Sequence, residues 1–151
     1  MGARHFTELA VWQEATRLKR EIYALVDREP FRRDRSLRSD LVRAAASIPA
    51  NIAEGFGRYR PREFHRFLEI AKASASEAEN HCIDAHDRGH ISADELARIR
   101  RDASRVIASM VRLMRYLRSP AADTQAGITT RRRQGAPGGP GTRGTSGTEE
   151  P

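Results

Sequence analysis

Residues 92–120 read SADELARIRRDASRVIASMVRLMRYLRSP, and this stretch decides the fold class. Ser92 followed three residues later by Glu95 is a capping box, which satisfies two orphan N–H groups at a helix start. Ile91 stands where it can staple onto Leu96. Leu96, Ile99, Ala103, Val106, Ile107, Met110, Leu113 and Leu117 then recur at three- and four-residue steps, so one face of a long helix is apolar until Pro120. No segment of the chain alternates with period two over a useful length, so no strand is expected.

Working back from that helix, the same period recurs three times. Pro61 suits a first helical turn, and Phe64, Phe67, Leu68, Ala71, Ala75, Ala78, Cys82 and Ala85 mark an inner face that Gly89 ends. Before it, Leu37, Leu41, Ala45, Ile48 and Ile52 share a face, with Gly55 and Gly57 closing the helix and Pro49 inside it removing one backbone hydrogen bond. The first helix carries Leu9, Val11, Trp12, Ala15, Leu18, Ile22, Leu25 and Val26. Thr7 is its expected N-cap, Phe6 its staple to Val11, and Pro30 its end. Phe31 to Arg35 reads as a charged connector. Short connections between long helices favour antiparallel neighbours, so the expected fold is all-α, an antiparallel up-down-up-down four-helix bundle.

The bundle is expected to occupy residues 1–120. Beyond Pro120 the composition shifts: seven of the 11 glycines lie in residues 121–151, and Ile128 is the only large apolar residue there. Such a segment buries too little to offset its ordering entropy, so a disordered Gly/Pro/Arg-containing tail is expected.

The chain of 151 residues has 27 basic and 20 acidic side chains, a net charge of +7. Only Lys19 and Lys72 are lysines, leaving 25 arginines. Residues 1–120 retain 23 basic against 17 acidic residues, a net +6, so the charge belongs to the folded part. Arginine forks onto phosphate, and a basic surface raises affinity for nucleic acid. Arg28, Arg32, Arg33, Arg35 and Arg38 cluster around the first connector, diluted by Asp27, Glu29 and Asp34, and Arg58, Arg60 and Arg62 cluster at the next turn. Simple up-down topology puts these two clusters at opposite ends. Trp12, Tyr23, Phe64 and Phe67 fall on buried or half-buried helix faces, which leaves few platforms for base stacking.

Other chemistry finds little support. A single cysteine, Cys82, cannot form a disulfide within the chain, and no apolar run approaches the ~20 residues of a membrane span. The N-terminus lacks a signal-peptide pattern, and the expected location is the cytoplasm. No Glu-x-x-His motif supports a dimetal site. Cys82 and His86, four apart with His81 and His90 nearby, form at most an incomplete metal set. There is no phosphate-binding glycine loop and no recognisable nucleophile–base pair. No enzymatic activity, cofactor or small-molecule substrate is expected.

The unusual segment is Arg43-Ala-Ala-Ala-Ser-Ile-Pro-Ala-Asn-Ile-Ala-Glu-Gly-Phe-Gly-Arg58. Arg43, Ser47, Asn51, Glu54 and Arg58 form a polar stripe beside the apolar face, and Glu63, Arg66, Ser74 and Glu77 offer a matching row on the third helix. Ser, Pro, Asn and Gly are poor choices inside a helix. Hydrogen bonding between helices of one subunit, an interface between subunits, and a ligand site are the three explanations.

Together with Val11-Trp12-Gln13 and Glu63-Phe-His-Arg-Phe-Leu-Glu-Ile-Ala71, this segment resembles the bacterial four helix bundle protein family encoded in intervening sequences of large-subunit ribosomal RNA genes. The resemblance covers about residues 5–118. It implies a four-helix bundle assembled with itself into a ring-like pentamer, and no catalysis. A related accessory protein of diversity-generating retroelements has a similar bundle, forms a basic pentameric barrel and binds nucleic acid, so RNA or DNA is the partner implied. Arg43, Ser47, Pro49, Asn51, Glu54, Gly55 and Arg58 carry the family signature and are expected to set packing or assembly. Ala73, Ala75 and Ala78 depart from the family's larger or Gly-Ser pattern and thin the third helix's core.

Overall fold

The computed structural model describes residues 2–122. The expected tail lies outside the described residues, apart from Ala121 and Ala122. Among the described residues there are long helices and no strand. A 3-10 turn at Phe6–Glu8 precedes α1 (Ala10–Val26), α2 (Glu29–Arg33), α3 (Arg35–Gly57), α4 (Pro61–Asp87) and α5 (Ala93–Leu117).

Three boundaries differ from the sequence expectation. Thr7 does not cap α1. It sits in the 3-10 turn, where its N–H donates to His5 Nδ1, and Leu9 precedes α1 with no side-chain cap. The Phe6 ring packs edge-on against Trp12 at 5.3 Å. Pro30 does not end the first helix, which stops at Val26. Pro30 instead opens α2, where a fixed φ and a missing N–H cost nothing. The connector is thus a helical turn, and its Phe31 is fully buried. Burial of such a side chain is worth about 1.5–3 kcal/mol, enough to fold the turn onto the core.

The other boundaries follow the sequence. Ser92 Oγ accepts from Glu95 N–H at 3.1 Å while Glu95 Oε2 accepts from Ser92 N–H at 2.8 Å, so both halves of the capping box are made. Gly89 ends α4 with φ +74°, a left-handed conformation that suits glycine. Pro49 lies inside α3, which continues to Gly57.

One apolar core runs the length of the molecule. Its largest fully buried side chains are Leu18, Ile22, Phe31, Leu41, Ile48, Ile52, Leu68, Ile99 and Met110. Trp12, Phe56, Leu96, Ile107, Leu113 and Leu117 pack against it half-buried. α3 and α4 share the most extensive contact, where Ala44, Ala45, Ala71, Ala75 and Ala78 are all buried. α1 packs on α3 and α5, and α4 packs on α3 and α5, whereas among the described residues the backbones of α1 and α4, and of α3 and α5, make no close approach. Contacts such as Arg43 with Glu77 and Ser47 with Ser74 pair rising numbers on α3 with falling numbers on α4, so these two helices run antiparallel. Arg28 with Glu95 and Glu21 with Arg98 show the same for α1 and α5.

Candidate nucleic-acid interface

The α2–α3 junction turns on Asp34. Its Oδ1 accepts from Leu37 N–H at 3.3 Å, capping α3, while Oδ2 accepts from Arg88 Nη1 at 2.9 Å and pairs with His90 Nε2 at 3.0 Å. The hydrogen bond from His90, with those from Leu37 and Arg88, holds the Asp34 carboxyl below its usual range. The His90 ring also packs edge-on against Phe31 at 5.2 Å. One carboxylate therefore clasps the start of α3 to the turn after α4.

Arg32, Arg35, Arg38 and Arg43 line one open groove of about 650 Å³, with Asp27, Ser39 and Val42. On α3, residues 35, 38 and 39, and 42 and 43 follow the helical three- and four-residue steps, which put them on one face. Arg32 Nε donates to the Asp27 carbonyl at 3.2 Å. Arg38 Nε donates to the Val26 carbonyl at 3.1 Å and its Nη2 to Asp27 Oδ1 at 3.1 Å. Arg43 Nη2 donates to Glu77 Oε1 at 2.7 Å. Arg35 has no side-chain hydrogen bond or ion pair among the described residues.

The other predicted arginines lie elsewhere. Arg28 binds Glu95 at 2.6 and 3.2 Å and the His90 carbonyl at 3.1 Å, joining the end of α1 to the start of α5. This contact, with the Ser92 N–H, holds the Glu95 carboxyl low. Arg33, far out in solvent, is 3.9 Å from Glu29. Arg58 pairs with Glu54 and lies over the Phe67 ring, 5.3 Å from its centroid. α3 separates Arg35 from Arg58 by about 35 Å at 1.5 Å per residue, so the two clusters occupy opposite ends. Arg60 and Arg62 sit with Arg58 at the far end, beside the start of α4.

The polar stripe is largely satisfied within the chain. Ser47 Oγ and Ser74 Oγ are 2.9 Å apart across the α3–α4 contact, and Ser74 Oγ donates to the Ile70 carbonyl at 3.1 Å. Asn51 Nδ2 donates to the Ser47 carbonyl at 2.8 Å and reaches its Oγ at 2.9 Å. Arg43, Ser47 and Asn51 thus each have hydrogen-bond partners within one subunit. Arg43 also holds the Glu77 carboxyl below its ordinary value, and its own guanidinium pKa is raised.

The sequence profile described as 23S rRNA-intervening sequence protein matches residues 7–112, more than two thirds of the chain. The chain belongs to this family. The match runs from the 3-10 turn into α5 and contains the α2–α3 groove and the whole polar stripe. No curated protein sequence matches it.

In this family member Cys82 is buried, and burial, reinforced by Glu21 and Glu79, pushes its thiol up to about 12. At neutral pH it is a protonated apolar side chain, unsuited to act as a thiolate ligand or nucleophile. Among the described residues, no three His, Cys, Asp or Glu side chains gather as a metal set. No described helix is long and apolar enough to cross a membrane.

The sequence reading missed Arg43 and Ser39 as groove residues. Their spacing from Arg35 and Arg38 carries that signal, which the pairing of Arg43 with Ser47 and Asn51 in one stripe hid.

Proposed function

We propose that this protein is a noncatalytic, basic, homo-oligomeric helical bundle of the cytoplasm that binds RNA or DNA through arginine–phosphate contacts. The gathering of Arg32, Arg35, Arg38 and Arg43 along one groove carries this reading. Guanidinium forks at helical spacing suit a run of phosphates, whose recognition needs charge and reach rather than base-specific geometry. An up-down-up-down bundle agrees with the antiparallel α1–α5 and α3–α4 pairs and with the cyclic order of helix contacts. The ring-like pentamer rests on the family resemblance.

A second reading is a protein-interaction or scaffold subunit. It is favoured by the carboxylates already facing Arg28, Arg38, Arg43 and Arg58. Exposed pairs of this kind are worth only about 0–1 kcal/mol, so a phosphate can displace the carboxylate. Titration of the purified full chain with structured RNA and duplex DNA at two salt concentrations separates the two readings. Arginine–phosphate binding must weaken steeply with salt. Absent or salt-independent binding would favour the scaffold.

A further inference from the structure

At the far end from the groove, where α3 gives way to α4, a cavity of about 430 Å³ opens. Its size falls within the ~300–1,000 Å³ of sites that take small organic groups. Phe56, Tyr59, Tyr116 and Leu117 line it together with Arg4 and Arg60. Tyr59 is 70% exposed and Tyr116 45% exposed, two of the most exposed large apolar side chains among the described residues. Both belong to one site although 57 positions separate them in sequence.

Tyr59 is held there at a cost. Its φ is +56°, a left-handed conformation that a bulky residue seldom adopts. A turn that needed only positive φ would be better served by glycine or asparagine. Residues in such conformations concentrate at binding sites, and this one carries a largely exposed aromatic ring.

We infer that this cavity takes an unpaired nucleobase of a single-stranded nucleic acid, stacked on Tyr59 and Tyr116, with its phosphate on Arg60. The inference rests on the nucleic-acid reading above and adds a strand preference to it. Aromatic faces accept any base and guanidinium accepts the backbone, so the site discriminates unpaired from paired strands rather than one sequence from another. Bases locked in a duplex stack on each other and cannot enter. The groove at the α2–α3 end, lined by arginine and without an aromatic ring, has no such preference.

The test is the affinity of the full chain, at low salt, for an adenylate RNA of about ten nucleotides and for a duplex of the same length. Tyr59→Asn removes the ring while tolerating the left-handed backbone, Tyr116→Ala removes the other ring, and Tyr59→Phe keeps stacking. Tyr59→Asn and Tyr116→Ala should each weaken single-strand binding about tenfold and leave duplex binding unchanged, with Tyr59→Phe behaving as the native chain. Native-like single-strand affinity in both ring-deleted variants, or equal losses for single strand and duplex, would overturn the inference while leaving phosphate binding standing. A fall in the light-scattering mass of the same variants would also overturn it, assigning the rings to a subunit contact. If the native chain binds neither probe at low salt, the nucleic-acid reading itself falls, and this site with it.

Discussion

Gly55 packs so tightly against Phe64 that a Cβ built on it would lie 2.6 Å from the ring carbon Cδ2, and 2.8 Å from Phe67 Cβ. The second of these neighbours is fixed to the α4 backbone, so a methyl group could be accommodated only by moving the helix. Gly55→Ala gains about 1 kcal/mol of helix propensity. It loses about 1–3 kcal/mol to overpacking at the α3–α4 contact. Thermal unfolding should show a lower Tm. Gly57, also in α3, has nothing within 4 Å of such a Cβ, so Gly57→Ala should leave the Tm unchanged or raise it. Equal effects at the two positions would contradict the close approach.

The polar stripe divides on burial. Asn51 is half-buried and hydrogen-bonded to Ser47, which meets Ser74 across the helix contact. Asn51→Leu should cost about 1 kcal/mol and lower the Tm, because the hydroxyl pair loses a partner. Glu54 and Arg58 are both about half exposed, so Glu54→Ala should change stability by less than about 1 kcal/mol. Light scattering of both variants reports whether either also sets subunit number. Unchanged stability and mass in both would remove any structural role for the stripe.

The Asp34 clasp gives a pH dependence whose sign is fixed. A carboxyl with its folded pKa depressed contributes stability that is present above its unfolded pKa, about 3.9, and lost as pH falls through the folded value. Asp34→Asn keeps a capping side chain but removes the charge. Its Tm should lie below that of the native chain at pH 7. The gap should narrow as the pH drops from about 5 towards and below 3. A gap that widened on acidification would show that Asp34 is not held by its charge.

Much of this fold was legible because hydrophobic period and cap chemistry are local. Ser92 and Glu95 sit three residues apart and announced α5, and the apolar steps of α3 and α4 needed only a window of a few turns. What escaped depended on long-range partners. Pro30 read as a stop because the burial of Phe31 could not be seen in a charged neighbourhood. Gly55 read as a helix closure, whereas its small size is required by Phe64 and Phe67 on the next helix. Asp34 meets Arg88 and His90 at separations of 54 and 56 residues, and nothing near Asp34 in sequence signals them. The arginine groove was half legible: its α3 members share a helical face, but the carboxylates that engage them include Asp27, just past α1, and Glu77 on α4.

Truncation after Ala122 should leave the helical circular dichroism per molecule nearly unchanged. Residues 123–151 contain Ile128 as their only large apolar side chain, so they have little to contribute to a core. A cooperative loss of helix on truncation would place part of the folded unit beyond Ala122.

The most direct measurement is the dependence of log K on log salt for RNA binding, compared between the native chain and the Arg32→Ala/Arg35→Ala variant. Each phosphate contact contributes about 0.7–0.9 to the slope, so losing two should flatten it by about 1.5 while weakening binding evenly across sequences. Deleting the tail should have a smaller effect than this double substitution. A slope and affinity identical in the native chain and the double variant would contradict phosphate recognition by the α2–α3 groove.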